Sequence, residues 1–127
     1  MRRVIHTLEA PVPIGAYSQA IFVKPYLFIS GQIPIDPSTS DLIGTDIQAQ
    51  TRQVFENIKA ILRAADANFA DIVKLQVYLI DINAHFEVLN EVMAEYFDEP
   101  YPTRAVIEVS RLPKDALVEV VAEAIII

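Results

Sequence analysis

The stretch "ALVEVVAEAIII" (residues 116–127) is apolar on two faces at once. Read as a strand, it turns Val118, Val120, Ala122, Ala124 and Ile126 to one side and Val121, Ile125 and Ile127 to the other. A strand with two oily sides belongs inside a sheet that is covered on both faces, so the rest of the chain must be searched for covers.

Upstream, "YPTRAVIEVSRLPKDALVEV" (residues 101–120) reads as two apolar strands joined by a tight turn, interrupted by Arg104 and Glu119. "DIVKLQVYLI" (residues 71–80) alternates, with Val73, Leu75, Val77 and Leu79 facing one way and Lys74, Gln76 and Tyr78 the other. "RRVIHT", "SQAIFV" and "YLFISG" supply three shorter strands, and Pro25 in "VKPYLF" marks a hairpin turn between the last two. A helical period runs from Thr45 to Ala65, with Ile47, Val54, Ile58, Ile61 and Leu62 on one stripe. Thr45 and Gln48 have the spacing of a capping box, and Asp46 puts negative charge at the positive end of the helix dipole. A second helix, from about Asn83 to Phe97, repeats Phe86, Leu89, Met93 and Tyr96, with Asn83 as its N-cap.

The order is β-β-β-α-β-α-β-β, an α+β fold in one domain over residues 1–127. Two helices cover one face of a six-stranded sheet and leave the other bare. The economical cover is a second copy of the chain, which predicts a homo-oligomer; a monomer with an exposed apolar face is the alternative. "IDPSTSDLIGT" (residues 35–45) is the one extended loop expected.

Charge and composition exclude several functions. Ten Lys+Arg against 17 Asp+Glu give a net charge of −7, which disfavours nucleic acid and anionic membranes as partners. No run of 18 apolar residues is present, and "MRRVIHTLEA" lacks the apolar core of a secretory signal, so a cytoplasmic location is expected. Without cysteine there is no disulfide, thiolate metal site or cysteine nucleophile. His6 and His85 fall on unlike elements and form no metal-ligand spacing, and Gly15, Gly31 and Gly44 form no phosphate loop. Neither a metal nor a cofactor is expected.

Polar residues remain where strands end or turn: Tyr17, Ser30, Gly31, Arg104 and Glu119. Around them "PIGAYSQA", "FISGQIPIDP", "QTRQVFENIKAIL" and "RLPKDALVEV" stand in the order and spacing of the RidA (YjgF-like) family, which the whole chain resembles. The resemblance implies a chorismate-mutase-like homotrimer: a six-stranded mixed β-sheet with two helices packed on one face, and active sites in clefts between subunits. It also implies hydrolysis of 2-imino acids, such as 2-iminobutanoate and 2-iminopropanoate, to 2-oxo acids and ammonia. Carried over by position, Arg104 grips the substrate carboxylate, for which a planar guanidinium suits a bidentate pair. Glu119 orients or deprotonates the attacking water, with a pKa raised in a partly dry cleft. Tyr17 belongs to the loop that closes on the site, Ser30 and Gly31 line it, Asn90 lies near it, and the Val106 carbonyl serves as an acceptor.

Structural readings stand beside these. Arg104 and Glu119 also suit a buried or interfacial ion pair, Tyr17 a packing aromatic, Ser30 and Gly31 a strand end, and Asn90 a solvated helix residue. Glu108, Arg111, Lys114 and Asp115 read as surface or interface charges. Val106 stands where many family members have cysteine, and Val121 and Glu123 also depart from the common pattern. The alternative function is a non-enzymatic module that senses a small carboxylate in the same cleft.

Overall fold

In the computed structural model, which describes residues Met1–Ile127, the strands are β1 (Arg3–Ile5), β2 (Ala20–Val23), β3 (Tyr26–Gln32), β4 (Ile35–Asp36), β5 (Asp41–Leu42), β6 (Ile72–Leu79), β7 (Thr103–Glu108) and β8 (Val118–Ile125). Helix α1 (Ile47–Ala64) lies between β5 and β6, and α2 (Ile82–Tyr96) between β6 and β7. Six strands form one sheet in the order β1-β2-β3-β8-β6-β7, with β6 and β7 parallel and every other pair antiparallel. The expected mixed sheet with two helices on one face is therefore present. The loop from Ile35 is less extended than the sequence suggested: β4 and β5 pair as a two-stranded ribbon. Its turn is held by Asp36, whose Oδ1 accepts from the backbone N and Oγ of Ser38 at 2.8 and 2.7 Å.

The first helix starts one residue later than the Thr45 capping box predicts. Asp46 is extended (φ −107°, ψ 137°) and its Oδ1 accepts from the N–H groups of Gln48 and Ala49 at 2.7 and 3.3 Å, so Asp46 is the cap. For α2 the cap is Asp81, not Asn83, with Oδ1 accepting from the Ala84 N–H at 3.2 Å. Glu108, at the end of β7, adds a second acceptor for this terminus, taking the Ile82 N–H at 2.9 Å.

The α1 stripe buries Ile47, Val54, Ile58, Ile61 and Leu62 as the period requires, together with Phe55. Leu27 and Ile29 of β3, Leu75, Val77 and Leu79 of β6, and Val118, Val120, Ala122 and Ala124 of β8 meet it from the sheet. Full burial of each large side chain is worth roughly 1.5–3 kcal/mol. The two helices are also clamped to each other, as Arg52 on α1 donates to both carboxylate oxygens of Glu95 on α2 at 3.1 and 2.7 Å.

Two bulges decide which side chains face where. Ser30 and Gly31 together oppose one residue of β8, so Ile29 and Gln32, three apart, are both buried. A second irregularity between Ile72 and Lys74 leaves Val73 unpaired and exposed, whereas simple alternation grouped it with Leu75, Val77 and Leu79. No helix covers the other face of the sheet. Exposed Val4, Tyr26 and Phe28 and part-buried Ile21, Val121 and Ile125 make one half of it apolar. Lys74 and Glu123, paired at 3.5 Å, interrupt it, and Gln76, Tyr78, Ala105 and the exposed Ile107 make the other half mixed.

Candidate functional site

The candidate residues assemble into two groups, not one. The first lies between the edge strand β7 and α2. Arg104 extends from β7 toward the helix, where its Nη1 donates to Asn90 Oδ1 at 2.6 Å and to Met93 Sδ at 3.4 Å. The Phe86 ring lies against the guanidinium, 5.5 Å from its carbon to the ring centroid. No carboxylate comes within 4.0 Å of Arg104, and its Nε and Nη2 make no hydrogen bond. The ion pair that the sequence left open is thus not formed within the protomer. Val106, two residues on, shares this side of β7, and its side chain packs against the core.

The second group lies at the other end of the register. Glu119, on β8, has no hydrogen-bond or ion-pair partner within the chain, and burial pushes its carboxyl up from the ordinary value. It reaches across to Gly31, where an added Cβ would collide with the carboxylate. The missing side chain at Gly31 leaves the space that the carboxylate occupies. Ser30 spends its hydroxyl on structure, donating to the Ser18 carbonyl at 2.6 Å. Tyr17, half exposed, closes a small hollow with Gly31 and Gln32, and its hydroxyl accepts from the Ile14 N–H at 3.4 Å. Beneath this loop the buried Gln19 side chain donates to the carbonyls of Thr7, Ala10 and Pro11, which anchors the segment leading to Tyr17.

The strand register separates the two groups. Leu75 of β6 stands beside Arg104 on one flank and Ala122 on the other, and all three point to the helix side. Tyr78, of opposite parity on the same strand, stands beside Glu119, which therefore points to the uncovered face. The strand β6 also lies between β7 and β8, a lateral separation of about 10 Å. Within one chain, Arg104 and Glu119 cannot hold the same small molecule.

The family described as Endoribonuclease L-PSP matches residues 7–126 of this chain. A RutC family protein of Pyrococcus horikoshii is 57% identical over 98% of both chains. This chain belongs to the RidA (YjgF-like) family. Human 2-iminobutanoate/2-iminopropanoate deaminase is 42% identical, over 98% of this chain and 90% of the human one. The crystal structure of RidA from the Antarctic bacterium Psychrobacter sp. superposes with a TM-score of 0.93 at 45% identity, covering 98% of this chain and 99% of that one.

Several residues around the cleft between α2 and β7 lie outside the set that the sequence singles out. Phe86 and Met93 were read as part of the apolar stripe of α2, yet Phe86 is 38% exposed and both touch Arg104. The signal was present: both sit at helical spacing from Asn90, so a helix that turns Asn90 to the cleft turns them too. Glu108 is exposed, as expected of a surface charge, and also accepts from the Ile82 N–H at the start of α2. Arg111 and Asp115 are exposed, as expected of surface charges, and pair with each other at 3.0 Å. His85 is part-buried on the first turn of α2, and no group of three His, Asp or Glu side chains is placed to hold a metal ion.

Proposed function

We propose that this protein hydrolyses small 2-imino acids, including 2-iminobutanoate and 2-iminopropanoate, to 2-oxo acids and ammonia, and that it does so in the cytoplasm as a homotrimer. Arg104 supports the reading most strongly. An arginine steadied by Asn90, stacked on Phe86 and free of any carboxylate leaves Nε–H and Nη2–H for an incoming one. The family relationship and the name of the human relative point the same way.

The reaction needs one water and no redox change. Arg104 of one protomer holds the carboxylate, and Glu119 of its neighbour, across the intersubunit cleft, positions water and takes a proton as oxygen adds to the imine carbon. Glu119 returns that proton to the imine nitrogen, giving the neutral carbinolamine; the carbinolamine hydroxyl then passes its proton to nitrogen through the same carboxylate, and the C–N bond breaks as the C=O bond closes, releasing ammonia and leaving Glu119 ionised. Tyr17 and the Gly31 backbone accompany Glu119, while Asn90 and the Val106 carbonyl accompany Arg104. Imines also hydrolyse unaided, so positioning, electrostatics and proton transfer at Glu119 need supply only a modest acceleration. RNA cleavage, the activity in the family's description, draws no support from a net charge of −7.

The test generates 2-iminobutanoate from threonine with a dehydratase and follows its decay. Wild-type protein should speed the loss, and Arg104→Ala should return it to the unassisted rate. Wild-type activity in Arg104→Ala would overturn the mechanism. Ligand-induced thermal stabilisation without turnover would assign the cleft to carboxylate sensing instead.

A further inference from the structure

The cleft that holds Arg104 is larger and more apolar than a carboxylate of three or four carbons requires. It encloses about 370 Å³ and is lined by Asn90, Met93, Ala94, Phe97, Tyr101 and Pro102 besides the arginine. Arg104 is its only charged residue. The volume falls in the range of sites that enclose a whole small ligand, from about 300 Å³ upward. A single cation at one end of an apolar cleft matches an anion with an oily tail, because the tail loses water contact while the carboxylate keeps its hydrogen bonds. Met93 joins the two ends, since its sulfur touches Nη1 of Arg104 while its side chain belongs to the core.

We propose that the α2–β7 cleft takes the substrate side chain, so that the protein prefers 2-imino acids with branched or otherwise bulky apolar side chains over the alanine-derived imine. This rests on Arg104 as the carboxylate anchor. With the carboxylate on Nε and Nη2, the side chain lies along Met93, Ala94 and Phe97, and Tyr101 and Pro102 close the opposite wall. The imine carbon is left facing outward, where the neighbouring protomer delivers Glu119. Ala94 controls the room available: it is exposed on α2, one turn beyond Asn90, and presents only a methyl group.

The experiment compares imines made by an L-amino-acid oxidase from leucine and from alanine, in wild type and in Ala94→Phe. In parallel, calorimetry measures binding of the stable acids 4-methyl-2-oxopentanoate and pyruvate. In wild type, kcat/KM for the leucine-derived imine should exceed that for the alanine-derived one by about tenfold, the effect of added methylenes in an apolar pocket. Filling the cleft with Ala94→Phe should collapse that ratio toward one. Equal rates in wild type, or a ratio unchanged in Ala94→Phe, would overturn the side-chain assignment while leaving imine hydrolysis standing. Tighter binding of 4-methyl-2-oxopentanoate without turnover of any imine would keep the pocket and remove the deaminase reading. If Ala94→Phe instead alters the assembled mass, the neighbouring subunit fills the cleft and the proposal fails.

Discussion

A methyl group at position 31 would occupy the space of the Glu119 carboxylate. Gly31→Ala should therefore displace the Glu119 carboxylate, lowering imine hydrolysis while changing stability in chemical denaturation little, because the group that must move is the end of a flexible side chain. Glu119 itself makes a pH prediction. Burial raises its folded pKa above the ordinary 4.5, so between that value and the raised one the folded chain holds a proton that the unfolded chain has released. Stability contributed by this group thus falls as pH rises through the window. Glu119→Gln, which cannot ionise, should melt at a higher temperature than wild type near neutral pH, and the difference should vanish below the ordinary carboxylate pKa. Across the sheet, Asn90→Ala removes the oxygen that orients Arg104. Binding of a stable 2-oxo acid should weaken by about tenfold, equivalent to about 1.4 kcal/mol, with the fold retained.

At the scale of elements, neighbouring side chains that compete for one role set the limit of what sequence reveals. Thr45 and Asp46 are both good caps, and only backbone geometry shows that Asp46 meets the first N–H groups of α1. Asp46→Ala should cost about 1 kcal/mol in thermal unfolding, whereas Thr45→Ala should cost little. The helix stripes and the positions along the chain of the six strands in the main sheet are legible because period and alternation are local properties; the order of those strands in the sheet is not local and is not legible. Neither is the exposure of Val73, because a bulge depends on how β6 meets β8. Asn90 lies between these cases: its place was set only approximately by position, and the 2.6 Å contact with Arg104 fixes it. Nor did the sequence reveal that Arg104 and Glu119 face opposite ways. Parity is readable along one strand, but comparing β7 with β8 needs the register of β6 between them.

For the whole molecule, those opposite directions make a strong test of assembly. If each site takes Arg104 from one protomer and Glu119 from the next, two inactive variants should rescue each other. Mixing Arg104→Ala with Glu119→Gln after unfolding and joint refolding should restore roughly one quarter of the wild-type sites for random assortment around a ring. Sites contained within single chains would give none. The uncovered face should carry the association, and Phe28→Asp should reduce the mass measured by light scattering.

If Arg104 and Glu119 work together, their placement on opposite sides of the sheet makes catalysis depend on how much protein is present. A lone chain owns both groups and can use neither with the other, so diluting the protein below the dissociation constant of its assembly should extinguish specific activity even though every chain stays folded. Activity per milligram, plotted against concentration, would then report subunit affinity as directly as any measurement of mass.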